Sequence, residues 1–305
     1  MTESVSVLIP AKGYLRYISF ALESISVNRV KPYEVLIIDD GIHDSSHHEI
    51  QKFENKLNIQ IIRNSGKGLV DALNLGIDKC KTAYIARLDC DDMMASNRIE
   101  TQLQFLESNQ HVSALGSQCI YIDEQGKEVG LSRYPVGSLN DVQDFTNRCL
   151  VCHPSTMFRS SAAKIIGGYR SIFTWNDVDI AEDFDFWLRL SKGGVIWNTN
   201  EPLTYYRQHN EQISIKSNLG QLLGTPYVSS AFKLSLNPPK KIRFDNFVSQ
   251  NKRFYLKIIK QNYGFITAQY LNLLLITFDK FLFRRKMPKM ITRFLVSRVA
   301  SSLQI

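Results

Sequence analysis

The sequence predicts a mostly parallel α/β sheet with helices on both faces, followed by a helical, basic C-terminal region. Three observations lead there. Short continuous apolar runs recur at residues 5–9, 34–38, 59–62 and 84–88. Stretches of helical spacing separate them, and strands that are apolar throughout are strands covered on both faces. Residues 231–305 carry 15 Lys and Arg against 2 Asp and Glu, a balance of +13, while residues 1–230 carry 22 against 27.

The elements follow in order. Residues 5–9 form a buried strand that Pro10 is expected to stop. Residues 17–27 have helical spacing through Ile18, Leu22 and Ile25. The run at 34–38 is a second strand that leads into Asp39-Asp40-Gly41, and Ser45 or Ser46 is a candidate cap for a polar helix reaching residue 52. Residues 59–62 are a third strand, and 68–79 a helix with Leu69, Ala72, Leu73 and Ile77 on one side. Residues 84–88 are a fourth strand that leads into Asp89-Cys90-Asp91-Asp92. A helix at 97–107 and a β-like run at 112–122 complete the first half. Beyond it come a hairpin turn at 123–127, a polar helix at 139–148, a short strand at 155–158, a helix at 182–191 and an extended run at 195–207.

Composition narrows the class. With 44% hydrophobic and 22% charged residues, the chain can bury a core and is not mainly disordered. No apolar run reaches the roughly 18 residues of a simple membrane span. The first five residues lack a basic segment followed by an apolar one, so no secretory signal is expected. The five cysteines are read as reduced structural thiols. Cys149 and Cys152 form a C-x-x-C beside His153, but zinc would want a second pair.

In a parallel sheet, ligands sit beyond the carboxyl ends of the strands. The acidic pairs after the second and fourth strands would therefore face one crevice. Three carboxylates within Asp89-Cys90-Asp91-Asp92 repel one another unless something neutralises them. A hard divalent cation such as Mg²⁺ or Mn²⁺ does so, and the alternative is a solvated acidic turn. Asp39 and Asp40 can accept from a base N–H or from ribose hydroxyls, or can simply build an Asp-Gly turn. Glu182 and Asp183 open a helix, where the helix dipole favours acids; one of them can also act as a general base. Arg207 is a candidate phosphate donor, and His209 a candidate metal ligand or an ordinary structural histidine.

These motifs, in this order, resemble the family-2 glycosyltransferases of GT-A fold, a Rossmann-like architecture. The carriers span residues 4–215: 5–10, 34–41, Asn74-Leu75-Gly76-Ile77, 84–92, 153–159, Gly167-Gly168-Tyr169-Arg170, 182–190 and Tyr206-Arg207. The resemblance implies an inverting transferase of bacterial surface-polysaccharide type that forms a β-linkage from a UDP-sugar, with Mn²⁺ or Mg²⁺. It implies Asp183 as catalytic base and Asp91, with His209, at the metal. It places Pro10, Asp39, Asp40, Asp89 and Arg207 at the nucleotide-sugar. Two departures stand out: Ala11-Lys12-Gly13 follows Pro10, where the family often has an aromatic residue and Asn, and Ile42-His43 replaces the usual Ser-Thr.

The implied organisation is a catalytic domain over 1–215, with a nucleotide-binding half (1–122) and an acceptor half (123–215), then a helical region over 216–305. Basic and apolar residues interleave in the tail, for example Phe281-Leu282-Phe283-Arg284-Arg285-Lys286. That is the pattern of an interfacial helix on anionic lipid, and a helical cap on the catalytic domain is the alternative. No base-stacking motif accompanies the charge, so no nucleic-acid partner is expected. The expected setting is cytoplasmic and peripheral to the inner membrane, with a polyprenyl-diphosphate-linked sugar as acceptor in O-antigen or capsule synthesis. Two competing readings are a nucleotidyltransferase and a non-catalytic membrane scaffold. The loop after the first strand is too poor in Gly for the former, and the acids at 89, 91, 182 and 183 argue against the latter.

Overall fold

The computed structural model describes residues 5–13, 15–175 and 178–210, with scattered positions beyond (212, 224, 225, 228, 229, 232, 242 and 243). The chain divides into two units, one of Met1–Arg170 with Glu182–Lys216 and one of Ser171–Ala181 with Ser217–Ile305. Apart from the scattered positions just named, the expected tail helices and their membrane face lie outside the described residues; at Ile242–Arg243 the chain is a strand and not the expected helix.

The first unit is built on one large mixed sheet. Strands β1 (Val5–Gly13), β2 (Glu34–Ile42), β3 (Ile59–Arg63) and β4 (Tyr84–Arg87) run parallel in the order β3-β2-β1-β4. The sheet continues through β9 (Met157–Arg159), β6 (Val112–Ile122) and β12 (Val195–Arg207) to β5 (Met93–Met94). β9 is antiparallel to both β4 and β6, and β12 is parallel to β6. Two reversals restore direction, so β6 and β12 point the same way as β1–β4. The carboxyl ends of six strands therefore share one edge. β7 (Glu128–Leu131) pairs with β6, and β8 (Gly137–Ser138) with β12.

Helices α1 (Ile18–Ser26), α2 (Asp44–Gln51), α3 (Leu69–Lys79), α4 (Arg98–Ser108), α5 (Ser160–Ile165) and α6 (Glu182–Leu190) connect and cover the strands. The core joins Val5, Val7 and Ile9 of β1 to Val35 and Ile37 of β2, Ile18, Leu22 and Ile25 of α1, and Ile99 and Leu106 of α4. Each such side chain contributes about 1.5–3 kcal/mol on leaving water. Gly76 lets α3 lie against β1: a Cβ there would stand 2.1 Å from Leu8 Cδ1. Asn74, two residues earlier, holds the backbone of Tyr169, donating to its carbonyl at 2.9 Å and accepting from its N–H at 2.7 Å. This is the physical content of the Asn74-x-Gly76 motif.

Several expectations are corrected. Pro10 does not stop β1, which continues to Gly13. β4 pairs only with Val5–Leu8, so the missing N–H of Pro10 costs no ladder bond. The cap of α2 is His43, whose ring accepts from the Ser45 N–H; Ser46 Oγ instead accepts from the Leu15 N–H at 2.9 Å. The polar helix at 139–148 is only a 3₁₀ turn, Leu139–Asp141, followed by irregular turns. Asn140 is drawn out of helical bonding because its side chain serves the Ile196 N–H and the Ser191 and Gly194 carbonyls. The strand expected at 155–158 begins only at Met157, after a 3₁₀ turn at His153–Ser155. In the second unit, β10 (Phe173–Trp175) pairs with β11 (Val178–Asp179) and β13 (Ile242–Arg243).

Candidate active site

The shared carboxyl edge collects most of the residues singled out above. β2 delivers Asp39 and Asp40, the turn after β4 delivers Asp89, Asp91 and Asp92, and the end of β12 delivers Arg207 and His209. The N-terminus of α6 delivers Asp183.

Asp89, Asp91 and Asp92 each bring a carboxylate oxygen within 4.8 Å of the others, the sole such group of three His, Cys, Asp or Glu ligand atoms among the described residues. Their environments differ. Asp89 keeps 31% of its side chain exposed and is gripped by the buried Arg87, with contacts of 2.5 and 2.7 Å. Burial raises its pKa; Arg87 opposes this and Asp91 adds to it. Arg87 loses by burial but gains more from Asp89, so its guanidinium is held firmly charged. Asp91 Oδ2 lies 2.8 Å from His209 Nε2.

Asp92 is buried. Its Oδ1 accepts from the Arg207 N–H at 2.8 Å, and its Oδ2 has no hydrogen-bond partner. Burial and the charges of Asp91 and Asp89 push its pKa well up. An orphaned buried carboxylate oxygen beside two other carboxylates, all hard oxygen donors, fits a divalent cation. Asp89, Asp91 and Asp92 would hold it.

Arg87 is the functional candidate that sequence reasoning missed. A signal was present: Arg87 stands two residues before Asp89, at the end of the strand that leads into the acidic turn. Arg207 also has a different setting from the one expected. Its Nε and Nη1 are engaged by backbone carbonyls of the protein. It is buried, donating to the Asp91 carbonyl at 3.0 Å and to the Asp123 and Glu124 carbonyls at 3.0 and 3.3 Å, and it lies over the Tyr17 ring at 4.4 Å. It clamps the acidic turn to the 123–127 hairpin turn.

Asp183 is half-buried. Its Oδ1 accepts from the Phe184 N–H at 2.7 Å, and the Cys149 thiol lies 3.9 Å from its Oδ2. Burial raises its pKa, while the Phe184 N–H and the charge of Arg87 hold it back. Its charge in turn raises that of Asp89. Asp185, two residues further along α6, is gripped by Arg170 and Arg189, and Arg189 also donates to the Ile166 and Gly168 carbonyls. This network fixes the start of α6 against the loop before Arg170.

Asp39 stands at the rim of a cavity of about 400 Å³, lined with Gly41, Ile42, Asp44, His47, Arg63, Ser65 and Gly66. Its Oδ1 accepts from the Gly41 and Ile42 N–H groups, and its Oδ2 faces His47 at 3.9 Å. Asp40 lies behind this rim, buried. Pro10 is buried within β1, level with Ile38 of β2. The five cysteines carry free thiols. His153 is a core histidine whose pKa burial holds well down, its Nε2 lying 2.8 Å from the Tyr169 hydroxyl.

The chain has relatives in sequence and in fold. The chain is 28% identical over 267 residues to the O-antigen biosynthesis glycosyltransferase WbnJ of Escherichia coli, covering 85% of this chain and 98% of that one. It is 30% identical over 194 residues to the Escherichia coli UDP-Gal:alpha-D-GlcNAc-diphosphoundecaprenol beta-1,3-galactosyltransferase, covering 63% of this chain and 68% of that one. Among solved structures, S. aureus TarS 1-349 in complex with UDP-GlcNAc shares the fold with a TM-score of 0.61 at 15% identity, covering 98% of this chain and 81% of that one. Residues 6–167 match the family described as Glycosyl transferase family 2. Those residues are more than half of the sequence and include the acidic turn and the Asp39 rim, so the chain belongs to the family-2 glycosyltransferases.

Proposed function

We propose that this protein transfers a hexose or N-acetylhexosamine from a UDP-sugar to a hydroxyl of a lipid-linked sugar, with inversion, in the assembly of a bacterial surface polysaccharide. The observation that carries this reading is the acidic trio at the carboxyl end of β4, with a buried Asp92 oxygen left without a partner, and Asp183 at the N-terminus of α6. The cavity at Asp39 lies at the carboxyl ends of β2 and β3. A relative acting on a diphosphoundecaprenol-linked sugar and a structural neighbour holding UDP-GlcNAc support the two substrate classes.

In this reading Asp39 Oδ2 accepts a single N–H from the base, because Oδ1 is already taken by two backbone N–H groups. Asp89, Asp91 and Asp92 hold Mn²⁺ or Mg²⁺, with His209 at Asp91. When bound, the ion offsets the charge that develops on the departing diphosphate. Asp183 takes the proton from the acceptor hydroxyl as that oxygen attacks the anomeric carbon from the face opposite the leaving group. A single displacement inverts configuration, so an α-linked donor gives a β-glycoside. Residues 231–305 hold the enzyme at an anionic inner-membrane surface.

The test is a thermal-shift screen of nucleotide sugars with Mn²⁺, followed by transfer to a synthetic lipid-diphosphate sugar and assignment of the product linkage by NMR. A UDP-sugar should raise the melting temperature and give a β-linked product. An α-linked product, or stabilisation only by guanosine or cytidine nucleotides, overturns the reading.

A further inference from the structure

The residue beside Asp39 has a setting that direct ligand contact does not explain. Asp40 is buried, and neither it nor Asn64 lines the cavity at Asp39. Three parts of the chain nevertheless converge on its carboxylate. The Asn64 side-chain amide donates to Oδ1 at 2.6 Å, the Gly68 N–H lies 3.1 and 3.2 Å from the two oxygens, and Lys12 Nζ stands 3.3 Å from Oδ2. Asn64 is held a second time through its own N–H, which donates to the Asp39 carbonyl at 2.7 Å, and a third time by donating to the Gly68 carbonyl at 3.2 Å.

The segment these bonds close is short and conformationally demanding. Ser65 has φ +60°, Gly66 +75° and Gly68 +100°. A non-glycine residue at positive φ costs free energy and persists only where its surroundings impose it. Ser65, Gly66 and Arg63 line the cavity together with Asp39. Gly68 is also the N-cap of α3. A charged acceptor binding both ends of the 64–68 turn is the device that holds this part of the cavity in place, since hydrogen bonds to an ionised acceptor are roughly twice as strong as neutral ones.

We infer that Asp40 is a positioning residue for the nucleotide's base, acting through Asn64 and Gly68 to set the Ser65-Gly66 part of the cavity that Asp39 also lines, and does not itself touch the nucleotide. This rests on the reading of the cavity as a nucleotide subsite. It gives Lys12, 68% exposed, the role of neutralising a buried carboxylate from outside the cavity.

The experiment uses the full-length protein and two variants, Asp40→Asn, which keeps the shape, and Asn64→Ala, which leaves the carboxylate in place. Hydrogen exchange of the peptide covering residues 63–69 reports on the turn without any ligand. Titration calorimetry with UDP and, separately, with inorganic diphosphate, both with Mn²⁺, reports on the two ends of the nucleotide site. Exchange at 63–69 should quicken in both variants, and the Kd for UDP should rise about tenfold, the scale of one lost hydrogen-bonded contact. The Kd for diphosphate, which does not reach the cavity, should stay the same. Unchanged exchange overturns the inference. So does loss of UDP affinity in Asp40→Asn alone, which would make Asp40 a direct contact, and so does equal weakening of both ligands, which would mean general destabilisation. If the unaltered protein binds diphosphate but not UDP, the nucleotide reading fails by itself, and the inference that Asp40 positions a base falls with it even where the exchange result places the turn under its control.

Discussion

His209 Nε2 and Asp91 Oδ2 lie 2.8 Å apart, which joins the end of β12 to the acidic turn after β4. The His209 ring is also held against Tyr17, with centroids 5.5 Å apart. An imidazole in hydrogen-bond contact with a carboxylate fixes the direction in which that carboxylate presents its other lone pairs, and partners of this kind typically set metal affinity by 10–100-fold. His209→Ala should therefore raise the Mn²⁺ concentration for half-maximal transfer by roughly that factor, with turnover at saturating Mn²⁺ much less affected. His209→Gln separates two roles: a Gln that restores metal affinity marks a hydrogen-bonding partner of Asp91, and a Gln as poor as Ala marks a direct ligand. A metal titration of activity in the three proteins decides it.

Asp92 predicts a stability change of unusual sign. Burial and its acidic neighbours raise its pKa in the fold, so the folded protein holds this proton more tightly than the unfolded chain does. Its ionisation therefore costs stability that grows as pH rises above the ordinary aspartate value of about 3.9, and it costs nothing below that. Asp92→Asn keeps an oxygen for the Arg207 N–H and removes the buried charge. In metal-free buffer at neutral pH it should melt higher than the unaltered protein, with the difference vanishing as pH falls towards 4. Added Mn²⁺ should reverse the order, stabilising the unaltered protein more than the variant. Calorimetric melting at several pH values, with and without Mn²⁺, measures both effects.

Asp183 must be ionised to accept a proton. Since burial raises its pKa, the acid limb of the pH–rate profile should lie above the range of an exposed aspartate, with activity lost as pH falls through it. Asp183→Asn should abolish that limb and lower turnover by about 10²–10⁴-fold while leaving the Kd for the nucleotide sugar nearly unchanged. An Asn variant of near-normal turnover would place the base elsewhere, with Glu182 the next residue to alter.

How much of this was legible follows from sequence distance. The parallel half was readable because strands covered on both faces are apolar throughout, and the rule that ligands gather at carboxyl ends then selected Asp39, Asp89 and Asp91. The irregular half was not. The 139–148 segment has the polarity of a surface helix, but Asn140 is bonded to residues more than 50 positions away, and no periodicity reports that. The surroundings of Arg207 depend on Asp92, 115 residues earlier, and on Tyr17. From sequence, a late Arg beside a diphosphate site reads as a phosphate donor; only the β6–β12–β5 arrangement shows its Nε and Nη1 engaged by backbone carbonyls.

The charge of residues 231–305 gives a prediction that needs no coordinates. If these residues hold the enzyme to anionic lipid, the full-length protein should float with vesicles containing phosphatidylglycerol at low salt and not with neutral phosphatidylcholine vesicles. Recovery should fall as salt rises and the Debye length contracts from about 30 Å at 0.01 M to about 8 Å at 0.15 M. Flotation indifferent to lipid charge and to salt would favour the tail as a cap on the catalytic domain.

Arg98 supports the site without entering it. It is buried at the start of α4, and its guanidinium donates to the Arg87, Pro154 and Thr156 carbonyls, to Thr204 Oγ1 and to Gln102 Oε1, at 2.7–3.1 Å. Its partners come from β4, the turn before β9, β12 and α4, which are the elements that aim the acidic turn. Burial lowers its pKa to about 10, so it remains charged at neutral pH, stabilised by carbonyl dipoles. Arg98→Met fills the volume but takes a donor from the buried Arg87 and Pro154 carbonyls, Thr204 Oγ1 and Gln102 Oε1, each such loss costing about 1–3 kcal/mol, while the Thr156 carbonyl keeps the Arg87 N–H. The variant should lose at least about 3 kcal/mol of unfolding free energy by urea denaturation, a large share of the 5–15 kcal/mol typical of a folded domain. Arg98→Lys should recover only part of it, because one ammonium cannot reach all five acceptors in a planar fork. A methionine variant of full stability would mean that the carbonyls find other donors, and that the elements around the acidic turn are joined by packing alone.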